Sequence, residues 1–441
     1  MNRWLDYRTV WRWHFYASLF CMPFVVVLSI SGAVYLFKPQ IERWINRDRE
    51  NLAISGPMAT VADQVEAAIN AIPGSVPLAY ELPRTESCAS SVIVQETNNV
   101  VRVYVHPQTL QILHTRPEKE TFIRTVHRLH GQLWMGDLGS HLVELAASWT
   151  IMMILTGLFL WWPRSAKGIG GVLYPRIGKG LRVFLRDLHA VTGVWISCFA
   201  LFLLVTGLPW AKFWGSYFGS IRSLTNTAVA QQDWTVGGKP LASPKGEHIQ
   251  HEPVDMTVFD RIYETVSPMN LAYPVSIAPP KLGSEEWVVK SEAQNRTLRT
   301  TIKLSGTTGE IVSRETFADR HWIDRLVAIG IAAHEGQLFG WFNQLLGLLT
   351  AIGLVVLTIS GYMMWWRRRV PGTLGAPTIM CAPSTSIGLL LVMIMLGVYL
   401  PFFGLSLIIV LLLERFLISR VPSLQEWFGL SIVKSPTQTD Q

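Results

Sequence analysis

Four apolar runs, each long enough to cross a lipid bilayer, restrict the possible folds of this chain more than any other feature of its sequence. A bilayer core about 30 Å thick requires about 20 residues of helix. A helix also satisfies its own backbone hydrogen bonds, which lipid cannot do. The runs therefore predict four main membrane-spanning helices, at about residues 11–37, 141–162, 189–210 and 340–366.

A fifth apolar stretch, residues 386–418, is interrupted by Pro401 and Gly404. Proline kinks or ends a helix because it lacks a backbone N–H and its ring crowds the preceding turn. We interpret the stretch as a C-terminal membrane hairpin of two short helices, and one long tilted helix is the alternative. The basic start of the chain lacks a clear cleavage site, so we interpret the first run as an uncleaved signal anchor.

Lysine and arginine side chains flank the apolar runs and do not form a separate basic surface. The net charge of +7 could suggest nucleic-acid binding, but cations at the ends of spans follow the positive-inside rule. Many of the eighteen tryptophans also stand beside the runs, as aromatic belts do. We therefore expect a bacterial inner-membrane protein that binds no nucleic acid and has a cytoplasmic N-terminus. The cytoplasmic cations are Arg3, Arg8, Arg12, six side chains in the loop 163–188, and Arg367, Arg368 and Arg369.

The two long segments between spans would then lie in the periplasm. Each shows apolar helical spacing followed by short runs rich in β-branched residues, the pattern of a helix and then strands. The sequence therefore predicts two small periplasmic α+β domains. The first has a helix at 61–72 and strands at 89–95, 100–106 and 110–114, and the second has a helix near 255–266 and strands near 272–278, 286–291, 297–304 and 310–315.

These features divide the chain into ten parts that alternate between membrane and water. They are a first transmembrane helix (1–37), a first periplasmic domain (38–140), a second transmembrane helix (141–162), a cytoplasmic loop (163–188), a third transmembrane helix (189–210), a second periplasmic domain (211–339), a fourth transmembrane helix (340–366), a cytoplasmic loop (367–385), the C-terminal hairpin (386–418) and a cytoplasmic tail (419–441).

The two halves of the chain resemble each other. The segment LHGQLW…LTGLFLWWPR at 129–164 resembles AHEGQLFG…ISGYMMWWRRR at 333–368, so His130 matches His334. The first and third spans also match, because 18 residues separate His14 from Gly32 and, equally, His189 from Gly207. Both halves enter the membrane from the same side. The pattern therefore predicts a tandem parallel duplication about an axis along the membrane normal.

Four of the eleven histidines follow this repeat, namely His14, His189, His130 and His334. An ionisable residue in a span is a functional candidate, although a single histidine near a span end is about as often an interfacial residue bonded to backbone or water. A haem iron can take one imidazole from each side of its ring, and a two-fold axis supplies such a pair. The two matched pairs favour at least one haem, with one haem on His14 and His189 and an outer one on His130 and His334 if both pairs are used.

The outer pair must lie close to the bilayer for this assignment to hold. A continuous helix from His334 to Trp366 would be about 48 Å long, so we expect glycines such as Gly336 and Gly340 to interrupt it. His127 and His141 are alternative outer ligands, although neither has a matching histidine in the repeat. Four glycines that follow Ser or Thr near span ends are interpreted as helix-packing positions, with room for a haem ring as the alternative; they are Gly32, Gly157, Gly207 and Gly361.

Several other cofactor signatures are missing from the sequence. It contains no phosphate-binding Walker loop, no dinucleotide GxGxxG in βαβ context and no HExxH zinc helix. Its four cysteines are scattered, which indicates neither a disulfide framework nor a thiolate metal site. Electrons would therefore have to come from an unidentified external donor, and the sequence identifies no catalytic residue.

In combination, HRLHGQLW…LTGLFLWWPR, HEGQLFG…ISGYMMWWRRR and DLHAVTGVW resemble the PepSY-associated transmembrane family over about residues 8–370. The turn at 305–309 resembles the last hairpin of PepSY domains. That family includes inner-membrane reductases that release iron from siderophores and carry b-type haems on transmembrane histidines. The resemblance implies an oxidoreductase that passes electrons to a periplasmic ferric siderophore or other ferric chelate. It also implies haem-iron ligation by His14, His130, His189 and His334.

Two other classes of function compete with this interpretation. A non-enzymatic binding or regulatory protein, acting through PepSY-like domains, would hold no haem and would tolerate loss of His14 and His189. A transporter could also use parallel repeats. Ion-coupled transport favours charged residues in mid-span, and the middle of the four main spans carries none.

Overall fold

The computed structural model describes residues 7–97, 99–164, 168–227, 254–281, 283–377 and 387–430. Arg3, Lys167 and Cys381 of the sequence argument lie outside these residues. The chain divides into two compact units. The helical unit comprises residues 1–33, 128–220 and 346–441, and the sheet unit comprises residues 34–127 and 221–345.

The order of elements in the first half of the chain is found again in the second half. The first half contains α1 (Tyr7–Leu36), α2 (Lys38–Glu50), α3 (Val61–Ala71), β1 (Val76–Glu81), β2 (Ser90–Glu96), β3 (Asn99–Val105), β4 (Ile112–Pro117), α4 (Phe122–Gln132) and α5 (Gly136–Trp161). The second contains α6 (Leu181–Gly207), α7 (Lys212–Leu224), α8 (Thr257–Val266), β5 (Val275–Ala278), β6 (Glu286–Ser291), β7 (Thr300–Ser305), β8 (Ile311–Thr316), α9 (Trp322–His334) and α10 (Trp341–Arg368). Three helices follow: α11 (Ile387–Tyr399), α12 (Pro401–Phe416) and α13 (Pro422–Trp427).

Five helices among the described residues are long and apolar enough to cross a membrane. Four of them, α1, α5, α6 and α10, coincide with the predicted main spans, and the fifth is Pro401–Arg420. Helix α6 begins at Leu181, eight residues before the predicted start at 189. His189 therefore lies inside this helix, in its third turn, and not at its first residue.

The C-terminal apolar stretch forms two helices that separate at Leu400 and Pro401. A Cβ atom placed on Gly404 would lie 3.0 Å from the Cα atom of Gly397. In one straight helix, residues seven apart are about 10 Å apart along the axis. The chain therefore folds back at this point, which excludes the alternative of one long helix for the described residues.

The sheet unit contains a single antiparallel sheet of eight strands, in the order β4-β3-β2-β1-β5-β6-β7-β8. Strands β1 and β5 pair at its centre, with Tyr80 opposite Ile277 and Glu81 opposite Ser276. This pairing corrects the expectation of two separate outer domains. The backbone N–H and C=O groups of an edge strand can pair with another strand. Here β1 and β5, the edge strands of the two halves, form hydrogen bonds with each other.

Helices α3 and α8 cover one face of the sheet and share one apolar core with it. Fully buried Val65 and Phe259 belong to these helices, and Ile277 and Ile302 belong to the sheet. Asp260 of α8 accepts hydrogen bonds from the backbone N–H groups of Val61 and Ala62, at 2.6 and 3.2 Å. A carboxylate at this place satisfies free donors of the first turn and favours the positive end of the helix dipole.

A buried ion pair fixes the start of α9 within the sheet unit. Arg222 donates to both carboxylate oxygens of Asp324, at 2.5 and 3.0 Å, and the arginine side chain is only 1% exposed. Removing one partner of a buried pair leaves an uncompensated charge and costs about 3–5 kcal/mol. We expect Asp324→Ala to lower the midpoint of thermal unfolding strongly. The matched change Glu286→Gln breaks an exposed pair with Lys303, so its cost should stay below about 1 kcal/mol; equal losses would contradict the assignment.

Candidate functional site

Two of the predicted histidines meet inside the helical unit. His14 of α1 and His189 of α6 have ring centroids 6.3 Å apart, and their planes are nearly perpendicular at 88°. These are the residues that the repeat treats as equivalent. The structure therefore brings together the first of the two predicted histidine pairs.

Each of these rings is fixed through Nδ1 by a neighbouring helix. His14 Nδ1 donates to the carbonyl oxygen of Met153, at 3.0 Å, and contacts Thr156 Oγ1 at 3.1 Å. His189 repeats the arrangement with the carbonyl of Leu357, at 3.0 Å, and with Ser360 Oγ, at 3.2 Å. Because a carbonyl oxygen can only accept, Nδ1 carries the proton and Nε2 keeps its lone pair. All hydrogen bonds from these rings to the described residues are made by Nδ1, so Nε2 is the nitrogen that can bind a metal.

A glycine lies directly beside each ring. A Cβ atom on Gly157 would lie 3.1 Å from Cε1 of His14, and one on Gly361 would lie 3.3 Å from Cε1 of His189. Such contacts are tighter than nine in ten real Cβ contacts. The glycines therefore make room for the imidazole rings. Neither helix packing nor space for a haem ring, the two interpretations of the sequence, describes this contact.

His130 of α4 shows the same arrangement for a third time. Its Nδ1 contacts Ser31 Oγ at 3.0 Å, and a Cβ on Gly32 would lie 3.1 Å from its Cε1. Helix α4 ends soon afterwards, and Leu133, Trp134 and Gly136 adopt positive φ before α5 begins. This break separates His130 from the long axis of α5, as the argument from depth required.

His334 is the last residue of α9 and belongs to the sheet unit. Gly336 and Gly340 follow with φ of +73° and +62°, so the predicted interruption before α10 is present. The side chain of Asn343 donates to the carbonyl of Ala333 at 2.9 Å and fixes the end of α9. The neighbouring Glu335 has a raised pKa, chiefly because burial disfavours its charged form, which Arg296 and Lys38 partly offset. The pairing of His130 with His334 stays a prediction.

The two alternative outer ligands have other surroundings. The ring of His141 packs edge-on against Phe402 of α12, with centroids 5.3 Å apart, which associates it with the C-terminal hairpin. The ring of His127 lies 5.6 Å from that of Tyr35. Partial desolvation, together with Lys38 and Arg124, lowers the pKa of His127. Neither histidine has the Ser/Thr-Gly contact that the other three share.

The spacing of His14 and His189 suits two imidazoles on one iron. A metal–imidazole bond is about 2.0 Å long, and a five-membered ring with bonds near 1.35 Å has a centre-to-vertex distance of roughly 1.15 Å. Two such bonds and two such centre-to-vertex distances give a separation of about 6.3 Å between the ring centres. The observed separation is 6.3 Å. The described residues contain no group of three or more His, Cys, Asp or Glu side chains able to hold a metal. A structural zinc site would need such a group, whereas a haem needs two axial ligands from the protein.

Charged side chains are buried two residues before each histidine of this pair. Arg12 is 7% exposed and Asp187 is 1% exposed. Arg12 donates to the carbonyl of Gly429 and to Tyr16 Oη, both at 3.0 Å. Asp187 accepts from Arg176 at 2.7 Å and from Arg186 at 2.8 Å. The surroundings on both helices therefore carry an excess of positive charge.

Three hydroxyl residues contact the rings and were not predicted as site residues from the sequence, namely Ser31, Thr156 and Ser360. A signal was available, because each of them stands immediately before one of the glycines. Each hydroxyl donates to carbonyls of its own helix, for example Thr156 to Met152 at 2.9 Å. Its oxygen can therefore accept from the imidazole. The sequence shows the Ser/Thr-Gly pair but not the helix that faces it.

Thr156→Val tests this second contact of His14. The change keeps the shape of the side chain and the Met153 carbonyl. It removes the Thr156 hydroxyl, which contacts His14 Nδ1 at 3.1 Å and donates to the carbonyls of Met152 and Met153, both at 2.9 Å. Loss of an outer-shell partner typically costs about 10–100-fold in metal affinity; since one acceptor remains, we expect about a tenfold loss of affinity for the bound group. Titration of purified apoprotein with haem measures it. Thr358→Val on α10, whose hydroxyl bonds only to Leu354, should leave the affinity unchanged, and an equal loss there would contradict the role.

Comparison with known proteins identifies the family of this chain. No curated protein matches the chain. The model of the PepSY-associated TM region matches residues 11–368, which include every helix, strand and histidine of the repeats. The chain therefore belongs to the PepSY-associated transmembrane family.

Proposed function

We propose that the protein is a haem-bearing electron-transfer protein of the bacterial inner membrane that reduces a ferric chelate, such as a ferric siderophore, in the periplasm. The His14–His189 pair carries this proposal. Two rings with their Nδ1 atoms fixed and centroids 6.3 Å apart are a ligand set without other evident use. Aromatic packing alone would not require a carbonyl acceptor, a hydroxyl and a glycine beside each ring.

The residues at the site orient and tune the ligands. The carbonyls of Met153 and Leu357 hold the Nδ1 protons, which leaves Nε2 as the atom that would bind a haem iron and would make the imidazole a stronger donor. Bound haem would supply a centre that takes up and releases one electron at a time. The apolar helices around the site exclude water, and buried cations such as Arg12 favour the reduced state because it carries less positive charge.

The second site follows from the repeat. His14 and Gly32 stand 18 residues apart on α1, about 27 Å along a helix. A group on His130, whose ring rests on Gly32, would therefore lie near the opposite side of a bilayer about 30 Å thick. His334 is the proposed partner of His130. An electron received near His14 could then be passed outward, from a donor that is a quinol or a soluble reductant.

The reaction on the outer side is a one-electron reduction of iron. The electron converts Fe³⁺ in the chelate to Fe²⁺, and the donor is oxidised on the other side. The less highly charged ion binds hard oxygen ligands more weakly, so the chelate releases it. No proton or covalent bond of the protein needs to change in this step.

An absorption spectrum of the detergent-purified, haem-supplied protein tests the proposal. We expect a Soret band that sharpens with dithionite, an α band that appears on reduction, and two haems for each chain. Reoxidation by an added ferric chelate, with formation of Fe²⁺ followed by a ferrous indicator, would support the reductase. A featureless spectrum from well-folded protein would exclude it and would favour a binding or regulatory role for the sheet unit.

A further inference from the structure

Six cationic side chains gather around the C-terminal end of α1 in the sheet unit, and four carboxylates face them. The electrostatic contacts of Tyr35 include Glu335, Glu42, Arg296 and Arg124. The cations are Lys38, Arg102, Arg116, Arg124, Arg296 and Arg299, and the carboxylates are Glu42, Glu81, Glu118 and Glu335. The cluster therefore has an excess of positive charge.

Two of the four carboxylates are engaged by a single arginine. Arg102 binds Glu81 at 2.5 Å and Glu118 at 2.9 Å, and its side chain is 14% exposed. Glu118 also lies 3.9 Å from Arg124, so these side chains form one shared ionic network. Apart from Arg102 and its two carboxylates, the cluster has five cations against Glu42 and Glu335, and it keeps an excess of positive charge.

Part of the cluster is exposed or half-buried and combines two aromatic rings with two cations. Tyr35 and His127 have ring centroids 5.6 Å apart, and Lys38 Nζ lies 6.0 Å from the centre of the Tyr35 ring. The side chain of Arg124 is 48% exposed, and Glu118 is its ion-pair partner at 3.9 Å. Among the described residues, Lys38 has no carboxylate within ion-pair distance. Two cations at this place suit an anion that accepts charge-assisted hydrogen bonds.

A longer loop in the second half carries part of this cluster. The β6–β7 connection spans 292–299, whereas positions 97 and 98 alone connect β2 to β3. Asn295 Oδ1 accepts from the backbone N–H and the hydroxyl of Thr297, at 3.2 and 2.7 Å, and Arg299 Nε donates to the carbonyl of Ala293 at 2.8 Å. The loop thus holds Arg296, 8% exposed, within electrostatic reach of Glu335.

We propose that Lys38, Arg124 and the Tyr35–His127 ring pair form the docking site of the substrate, and that the substrate is an anionic ferric chelate with carboxylate or catecholate oxygens. The inference rests on the proposed function and specifies its substrate class. Tyr35 stands three residues after Gly32, and His127 stands three residues before His130. In sequence, the Tyr35–His127 ring pair therefore stands within one turn of helix of both members of the His130–Gly32 contact.

Binding of gallium(III) citrate to the full-length protein in detergent tests the proposal. Gallium(III) resembles ferric iron in size and charge but is not reduced, so calorimetry measures docking without electron transfer. We expect the double variant Lys38→Gln/Arg124→Gln to raise the Kd about tenfold, because two charge contacts near a protein surface are lost. Binding should also weaken as salt is raised. The variant Lys38→Arg/Arg124→Lys keeps the charge and should bind nearly as tightly as the natural chain.

The control is Lys281→Gln, which removes an exposed cation elsewhere in the same unit and should leave the Kd unchanged. Equal binding by the double variant and the natural chain would overturn the docking site. Equal affinity for metal-free citrate, or for a cationic gallium hydroxamate, would overturn the assigned substrate class. Because the probe requires no haem, these outcomes are distinct from failure of the proposed function, which the absorption spectrum reports.

Discussion

His14→Ala is expected to remove one of two haems from each chain and to abolish electron transfer to ferric chelates. The ring of His14 lies 6.3 Å from that of His189, and a six-coordinate haem that loses one of its two protein ligands is bound far more weakly. His189→Ala should give the same loss, and the double variant should be no worse, since both residues serve one group. The haem content of purified protein, by absorbance for each chain, measures the effect.

Imidazole rescue distinguishes a lost ligand from a misfolded chain. Substitution by alanine leaves a cavity with the shape of the removed ring, and added imidazole can enter it and supply the missing nitrogen. Recovery of the spectrum in His14→Ala would support ligation. His141→Ala is the matched control, because that ring packs against Phe402; it should retain both haems. Full haem content in both His14→Ala and His189→Ala would contradict the model of paired histidines.

Gly157→Ala is expected to lower the affinity of the same site by at least about tenfold, in the range seen when second-shell contacts of a metal ligand are lost. The new Cβ would lie 3.1 Å from Cε1 of His14, and the ring is held there by Met153 and Thr156. The ring can move away only by lengthening those hydrogen bonds. Gly361→Ala should act in the same way through His189, where the corresponding distance is 3.3 Å.

The stability of the apoprotein separates this effect from general damage to the fold. Alanine is a better helix former than glycine by about 1 kcal/mol, so Gly157→Ala should not reduce the helix content of the apoprotein. The control is Gly193→Ala on α6, where a Cβ would meet Leu357 at an ordinary 3.6 Å; haem titration of the apoprotein should find its affinity unchanged. Equal losses in the two variants would show that the glycine beside the ring has no special role.

The sequence was informative about the membrane helices because their signal is local. A run of about 20 apolar residues has few alternatives to a membrane helix, and α1, α5, α6 and α10 lie where the runs predict them. The repeat likewise identified His14 and His189 as equivalent. Symmetry relates residues without any knowledge of distances. For this reason it could identify the pair that the structure brings together.

The contacts that define the site are not local. Ser31-Gly32, Thr156-Gly157 and Ser360-Gly361 are visible as dipeptides, yet their role depends on a histidine from another helix. His14 reaches Met153 across 139 positions of the chain. Sequence periodicity identifies the buried face of a helix but not the residue that occupies the space opposite it.

The sheet illustrates the same limit on a larger scale. Alternating patterns predicted the four strands of the second half and three of the four in the first, but they missed β1 (Val76–Glu81), and the two halves were expected to be separate domains. Pairing of Tyr80 with Ile277 instead creates one sheet of eight strands, and α3 and α8 share its core. Edge pairing depends on backbone groups that every residue carries, so side-chain patterns contain little information about it.

By itself, then, the sequence determined which segments are long apolar helices, where seven of the eight strands lie, and which histidines the repeated pattern relates. These properties follow from hydrophobic periodicity and from repetition along the chain. Only the tertiary structure decided that β1 pairs with β5, that the last apolar stretch folds back at Pro401, and that each glycine accommodates a ring. Those outcomes depend on van der Waals contact and hydrogen-bond geometry between residues far apart in sequence, which no local pattern encodes.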